Sequence, residues 1–374
     1  MSHALQEAIR RRCENAWRRV AFFYIVMKRL LLALSVGVLS TTVHAQQQQP
    51  EQSSTLSTVV NTLKQRITLE GYLQLGYTYQ DGSEGSSNTF EVKRAILMAR
   101  GRITDQWTCY FMFSCANSPK VLEAYTEYTI VPGLTVRVGQ FKTMYSFENP
   151  LSPSVLELIN CNSQAVNYLA GYDGSDPLYG SHTGRDLGAM LYGTVLDGWL
   201  DYNLALMNGQ GINRKDGNKR KDVVGSLKMH PTEWLAVGGT FVKGRGCTVA
   251  ESAVNPDIKT GQSYRRDRWS AGAMLKSRYL DLRTEYLRGR DGRVRSEGAY
   301  ATVSAHVLPR VDIVASYDYF NRNRADADNG QTNYVAGLQW WFYPKCRLQV
   351  QYTRRVPRAF EASNLVQTQV QVRF

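Results

Sequence analysis

The sequence predicts an all-β chain closed into a transmembrane antiparallel β-barrel of 16 strands. Three observations carry that prediction. From residue 66 onward apolar and polar residues alternate in segment after segment, the mark of a strand with one apolar and one polar face. Tight turns alternate with longer loops between those segments, as in strands that cross a bilayer and return. Mean hydropathy is only −0.36, and no uninterrupted apolar run reaches the ~20 residues a membrane helix needs.

The chain is read in order as four parts. Residues 27–45 form an export signal: Met27-Lys28-Arg29 is basic, 30–39 is a short apolar core, and Val43-His44-Ala45 puts small residues at −3 and −1. Cleavage is expected before Gln46. Residues 1–26, with Arg10, Arg11, Arg12, Arg18 and Arg19, fit such a signal poorly and read as an extension upstream of a true start at Met27, the alternative being an unusually long n-region. Residues 46–65 form a polar periplasmic linker with a short helix expected at 56–65. Residues 66–374 are the barrel domain.

The expected strands are 66–79, 89–103, 106–116, 119–130, 134–142, 185–195, 199–208, 220–230, 233–244, 263–276, 279–290, 295–308, 310–322, 331–343, 345–355 and 364–374. In the first, Leu69, Gly71, Leu73, Leu75 and Tyr77 oppose Thr68, Glu70, Tyr72, Gln74 and Thr78. Leu200, Tyr202, Leu204 and Leu206 repeat the pattern, as do Val311, Ile313, Ala315, Tyr317 and Tyr319. Turns fall at Thr104-Asp105, Val131-Pro132-Gly133, Asp197-Gly198, His230-Pro231-Thr232, Ser277-Arg278, Pro309 and Pro344; long loops fall at 209–219, 245–262 and 321–330. An even count puts both ends of the barrel on the periplasmic side. The last strand alternates Val366, Thr368, Val370, Val372 and Phe374 with Gln367, Gln369, Gln371 and Arg373. A terminal strand ending in Phe resembles the signal that the outer-membrane assembly machinery reads.

The formal net charge is +13. The first 45 residues hold seven basic and two acidic residues, which leaves 38 against 30 beyond them, a net +8. Placing a midplane Arg toward lipid costs ~2–4 kcal/mol, so strand cations are expected inward. Parity puts Arg94, Arg100 and Arg102 on one face of the second strand, and Arg137, Arg283 and Arg347 on polar faces. The clusters Arg214-Lys215, Lys219-Arg220-Lys221, Arg265-Arg266 and Arg354-Arg355 are read as solvated or facing lipopolysaccharide. The six Cys form no CxxC pair and no zinc pattern, and no cofactor or metal is expected. Only His182, His230 and His306 follow the signal, too little for a hydrolytic centre. No soluble domain follows the last strand to suggest an adhesin, and export separates the chain from nucleic acid.

Five stretches resemble the phosphate- and polyphosphate-selective porin family of Gram-negative outer membranes: Phe90-Glu91-Val92-Lys93-Arg94-Ala95, Val138-Gly139-Gln140-Phe141-Lys142-Thr143, Gly184-Arg185-Asp186-Leu187-Gly188, Asn208-Gly209-Gln210-Gly211-Ile212-Asn213, and the closing strand. The resemblance implies a homotrimer in the outer membrane, in contact with lipid and lipopolysaccharide, whose third loop folds inward to narrow each pore. Segment 143–184 suits that loop, with a helical turn expected at 153–160. The expected activity is passive diffusion of small anions such as phosphate, and the expected anion-binding residues are Lys93, Arg94, Arg137, Lys142 and Arg185. One departure stands out: 143–184 has no Lys or Arg but contains Glu148, Glu157, Asp173 and Asp176. The alternative is a general or sugar-selective porin, with Tyr72, Tyr125, Tyr192 and Trp341 lining the lumen.

Overall fold

The computed structural model describes residues 65–82, 85–116, 118–172, 178 and 182–374. The expected extension, the signal peptide and all of the linker but its last residue lie outside them, as do Asp173 and Asp176; Gln65, the end of the expected short helix, is helical together with Arg66. Sixteen strands follow one another around a closed ring. They are β1 Ile67–Gln80, β2 Ser87–Arg102, β3 Trp107–Ser114, β4 Lys120–Val131, β5 Leu134–Lys142, β6 Arg185–Val195, β7 Leu200–Met207 and β8 Asp222–Thr232. The ring continues with β9 Leu235–Cys247, β10 Ser263–Lys276, β11 Leu280–Asp291, β12 Val294–Leu308, β13 Val311–Asn321, β14 Gly330–Tyr343, β15 Cys346–Pro357 and β16 Ser363–Arg373. Every strand pairs antiparallel with its sequence neighbours, and β1 pairs with β16. Each expected strand is present. The long third loop also carries one short helix, α1 Gln164–Leu169. Segment 153–160, expected to be a helical turn, is instead a run of turns. It is spread along the barrel wall by the side chains described below.

The burial pattern is inside out relative to a water-soluble protein. Leu69 is 72% exposed, while Gln349 and Gln371 are 0% exposed. Leu97, Phe111, Leu206, Ile313 and Leu338 are exposed along the outer surface, and Arg283, Glu285, Arg347 and Gln351 are buried inside. Only lipid makes the first arrangement favourable, and only an internal hydrogen-bonding network makes the second tolerable. Tight turns close one end of the barrel. Gly133, at φ 84°, takes a left-handed conformation there that a side chain would resist.

The seam between β1 and β16 runs from Tyr72 opposite Arg373 to Gln80 opposite Leu365. Beyond it, Gly71 and Phe374 exchange backbone hydrogen bonds of 3.1 and 3.0 Å. A Cβ on Gly71 would sit 2.5 Å from the Phe374 ring, so a side chain there would have to displace that ring.

Candidate pore and its constriction

The third loop leaves β5 at Lys142, returns at Arg185 and is tied to three parts of the wall. The Ser146 hydroxyl donates to Glu285 Oε2 at 2.6 Å, the Phe147 N–H donates to the same oxygen at 2.9 Å, and the Ser146 N–H donates to Thr240 Oγ1 at 3.0 Å. Further on, the loop meets a ladder of amides. Gln349 and Gln351 donate to the Glu157 carbonyl at 2.9 and 2.7 Å, and Ile159 N–H donates to Gln351 Oε1 at 2.8 Å. Gln371 donates to Ser154 O at 3.1 Å, and Arg347 to Leu156 O at 2.7 Å. Finally, α1 is capped by Ser163. It packs Ala165, Tyr168 and Leu169 among Leu287, Tyr300 and Phe320, and Gln164 N–H donates to Asp318 at 2.9 Å.

These anchors resolve the departure noted in the sequence. Glu157 pairs with Arg283, and Glu148 lies 3.5 Å from the same guanidinium. The two described acids of the loop are therefore spent on a wall arginine rather than offered to permeating ions. Arg283, which parity placed inward, is an anchor of the loop.

The described part of the loop borders two sizeable cavities of the lumen. The outer one, about 1140 Å³, is lined by β1–β5, the loop and the outer ends of β13–β15. The inner one, about 540 Å³, lies below Met144, Phe147 and Pro150. Leu151 borders both, and Lys142 Nζ donates to the Leu151 carbonyl. Among its described lining residues the outer chamber carries seven cations, namely Lys93, Arg94, Lys120, Lys142, Arg185, Arg322 and Arg355, and one acid, Asp328. Burial pushes the Tyr172 phenol up, so this lining group stays neutral.

The five expected site residues all face the lumen, but in different electrostatic states. Arg137 is clamped by Glu127 at 2.7 Å and lies over the rings of Tyr125 and Tyr192, with centroids 4.2 and 4.8 Å away. Arg185 pairs with Glu123 at 2.9 Å and donates to Thr183 O at 2.8 Å. Lys93 pairs with Glu91 at 2.8 Å. Arg94 and Lys142 differ: their hydrogen bonds go to Gln74 Oε1, at 2.9 Å, and to the Leu151 carbonyl. Among the described residues neither meets a carboxylate at ion-pair distance. Arg94, Lys142 and Arg185 are electrostatic neighbours beside Glu123. A β-bulge opposite Gln74–Leu75 lets the adjacent Lys93 and Arg94 share the lumen.

Sequence reasoning missed Lys120, Arg322 and Arg355 as chamber residues. It also grouped Arg265 with Arg266, although adjacent strand residues must point to opposite faces. Arg266 is buried inside against Asp222 at 2.6 Å, while Arg265 is exposed outside.

Residues 67–233, which span β1–β8, match the family model described as phosphate-selective porin O and P. No curated protein matches the chain. Solved structures share the fold at low identity. The anion-selective porin from Comamonas acidovorans is 12% identical with a TM-score of 0.62, over 82% of this chain and 99% of that one. The outer membrane channel DcaP of Acinetobacter baumannii is 11% identical with a TM-score of 0.58, over 82% and 97%. The trimer form of OmpT, an outer membrane protein of Vibrio cholerae, is 12% identical with a TM-score of 0.58, over 83% and 100%. With its closed sixteen-stranded barrel, its inward loop and a first half that is similar to the phosphate-selective porin O and P family, the chain is a non-enzymatic β-barrel porin of the outer membrane.

Proposed function

We propose that this porin passes small anions, phosphate among them, by passive diffusion through the outer chamber and past Lys142 and Leu151. The observation that carries the reading is the charge of the outer chamber, seven cations against one acid among its described lining residues. A wall of one sign sets ion preference in a confined pore. Arg94 and Lys142 are the key contributors, because neither meets a carboxylate at ion-pair distance among the described residues. Lys93, Arg137 and Arg185 are largely balanced and shape the passage more than they attract. Tyr125 and Tyr192, candidate sugar rails, are instead engaged with Arg137, which weakens the sugar-porin alternative. The reading also includes export by the signal at 27–45, cleavage before Gln46 and assembly as a homotrimer. The porin from Comamonas acidovorans is anion-selective, and one OmpT form is a trimer, which is consistent with anion passage and with trimeric assembly.

Reversal potentials across a planar bilayer with a KCl gradient test the proposal. The expected result is chloride preference below about 0.1 M salt, where the Debye length is ~10 Å, fading near ~1 M, where it is ~3 Å. Potassium preference at low salt overturns it.

A further inference from the structure

The outer face of β9–β12 carries a second basic surface, separate from the lumen. Strand register lays it out row by row toward the long-loop end of the barrel. Phe241, Trp269, Arg288 and Glu297 stand side by side in one row. The next row outward holds Lys243, Asp267, Arg290 and Arg295. Beyond that, Arg245 lies directly opposite Arg265. Their outward direction follows from parity, since the intervening Arg266, Arg268, Leu287, Asp291 and Ser296 are buried inside.

This surface holds six cations against two carboxylates, and the carboxylates are already engaged. Asp267 pairs with Arg265, and Glu297 is shared by Arg288 at 3.5 Å and Arg324 at 2.8 Å. Lys243, Arg245, Arg290 and Arg295 meet no carboxylate at ion-pair distance among the described residues. Two cross-strand pairs, Arg245–Arg265 and Arg290–Arg295, set like charges directly opposite each other, which destabilises a sheet unless something negative lies between them. An open cleft of about 610 Å³ runs along Lys243, Arg245 and Arg265 and is extended by Arg220 and Lys221.

The height of the patch identifies its partner. It sits immediately above the aromatic pair Phe241–Trp269, both exposed, and Trp269 contacts Tyr286, with ring centroids 5.7 Å apart. Below them Ala271, Ala273 and Leu227 face outward. Aromatic girdles mark the boundary between hydrocarbon and headgroups. A soluble anion could reach this surface, but only a membrane amphiphile would fill the apolar wall below and the cation rows above together.

We propose that the outer face of β9–β12 binds the phosphorylated glycolipid of the outer leaflet, lipopolysaccharide, with its phosphates between the opposed arginines and its acyl chains against Phe241 and Trp269. Each row supplies cations at a spacing of one strand, and guanidinium groups take phosphate oxygens two at a time.

The test uses the full-length barrel in detergent, with native mass spectrometry and lipid titration. The probes are lipopolysaccharide, its dephosphorylated form and phosphatidylglycerol. The wild type should retain lipopolysaccharide at least tenfold more tightly than either of the others. The quadruple variant Lys243→Gln, Arg245→Gln, Arg290→Gln, Arg295→Gln should lose at least tenfold in that affinity. It should keep the wild-type heat-modifiable gel shift and single-channel conductance, which separates this face from the pore and from misfolding. Neutralising Arg214 and Lys215 in the fourth loop should leave lipid affinity unchanged. Equal binding by the quadruple variant, equal binding of the dephosphorylated lipid, or an equal loss on neutralising Arg214 and Lys215 overturns the proposal. So does cross-linking between copies of the barrel through a cysteine at position 243, which would make this face a subunit interface.

Discussion

Replacing Gln349 and Gln351 together by leucine should release part of the third loop from the wall. The double change removes both amide donors to the Glu157 carbonyl and the acceptor for Ile159 N–H. Three net hydrogen bonds at about 0.5–1.5 kcal/mol each amount to about 1.5–4.5 kcal/mol against the docked loop. Leucine is close to glutamine in volume, so the wall itself need not collapse. At about 1.4 kcal/mol per factor of ten, the released fraction rises roughly 10- to 1,000-fold. The contacts through Glu285, Gln371, Arg347 and α1 stay in place, so only the backbone around 157–159 loosens while the rest of the loop holds. Single-channel recording should show a larger mean conductance with excess open-channel noise, and liposome swelling should admit larger neutral solutes. Val350→Thr on the outer face of the same strand should change none of these. Wild-type conductance, noise and solute cutoff in a correctly folded double variant would refute the idea that the amide ladder sets the constriction.

Other perturbations probe the charge assignment and the topology. Arg94→Glu with Lys142→Glu should lower the chloride-to-potassium permeability ratio several-fold in reversal-potential measurements, while the same pair of changes at Arg214 and Lys215 should move it little. Arg137→Gln together with Glu127→Gln should shift selectivity less than Lys142→Gln, because it removes a balanced ion pair and leaves the net charge of the lumen unchanged; the reverse ranking would contradict the pairing seen here. Single cysteines at Asn218 and Asn329 should react with an impermeant reagent on intact cells, and those at Asp197 and Pro344 should not. Sequencing of the membrane-bound protein should find Gln46, or a residue adjacent to it, at the N-terminus.

The strands were legible because lipid and lumen impose opposite demands on alternate residues, and that alternation survives in one sequence. Pairing between charges was harder to read. Glu127 and Arg137 lie directly opposite each other across the β4–β5 hairpin, and counting outward from Val131-Pro132-Gly133 could have found that pair. Arg185 on β6 reaches Glu123 on β4 across β5 once the third loop returns to the wall, which no local pattern announces. The amide ladder left a weaker trace. Gln349, Gln351, Gln367, Gln369 and Gln371 repeat on the lumen face of β15 and β16, and uncharged amides in such number suit a dry contact better than a water-filled wall. What they contact could be seen only once the loop was in place.

The contact between Gly71 and Phe374 has a consequence for how the ring comes into being. Fourteen of the other junctions join strands linked by a turn or a modest loop, and the fifteenth spans the third loop. This one joins positions roughly 300 residues apart, for which chain closure alone costs about 5 kcal/mol from its logarithmic dependence on length. Hairpins can form as their halves emerge, but β1 has no permanent partner on its open side until β16 arrives. During that interval the nascent sheet exposes two unpaired edges, each a template for the wrong chain. The time spent in that state, rather than the strength of any hairpin, would then govern how much of the protein is lost to aggregation. A factor that holds the β1 edge until the final strand is delivered would shorten it.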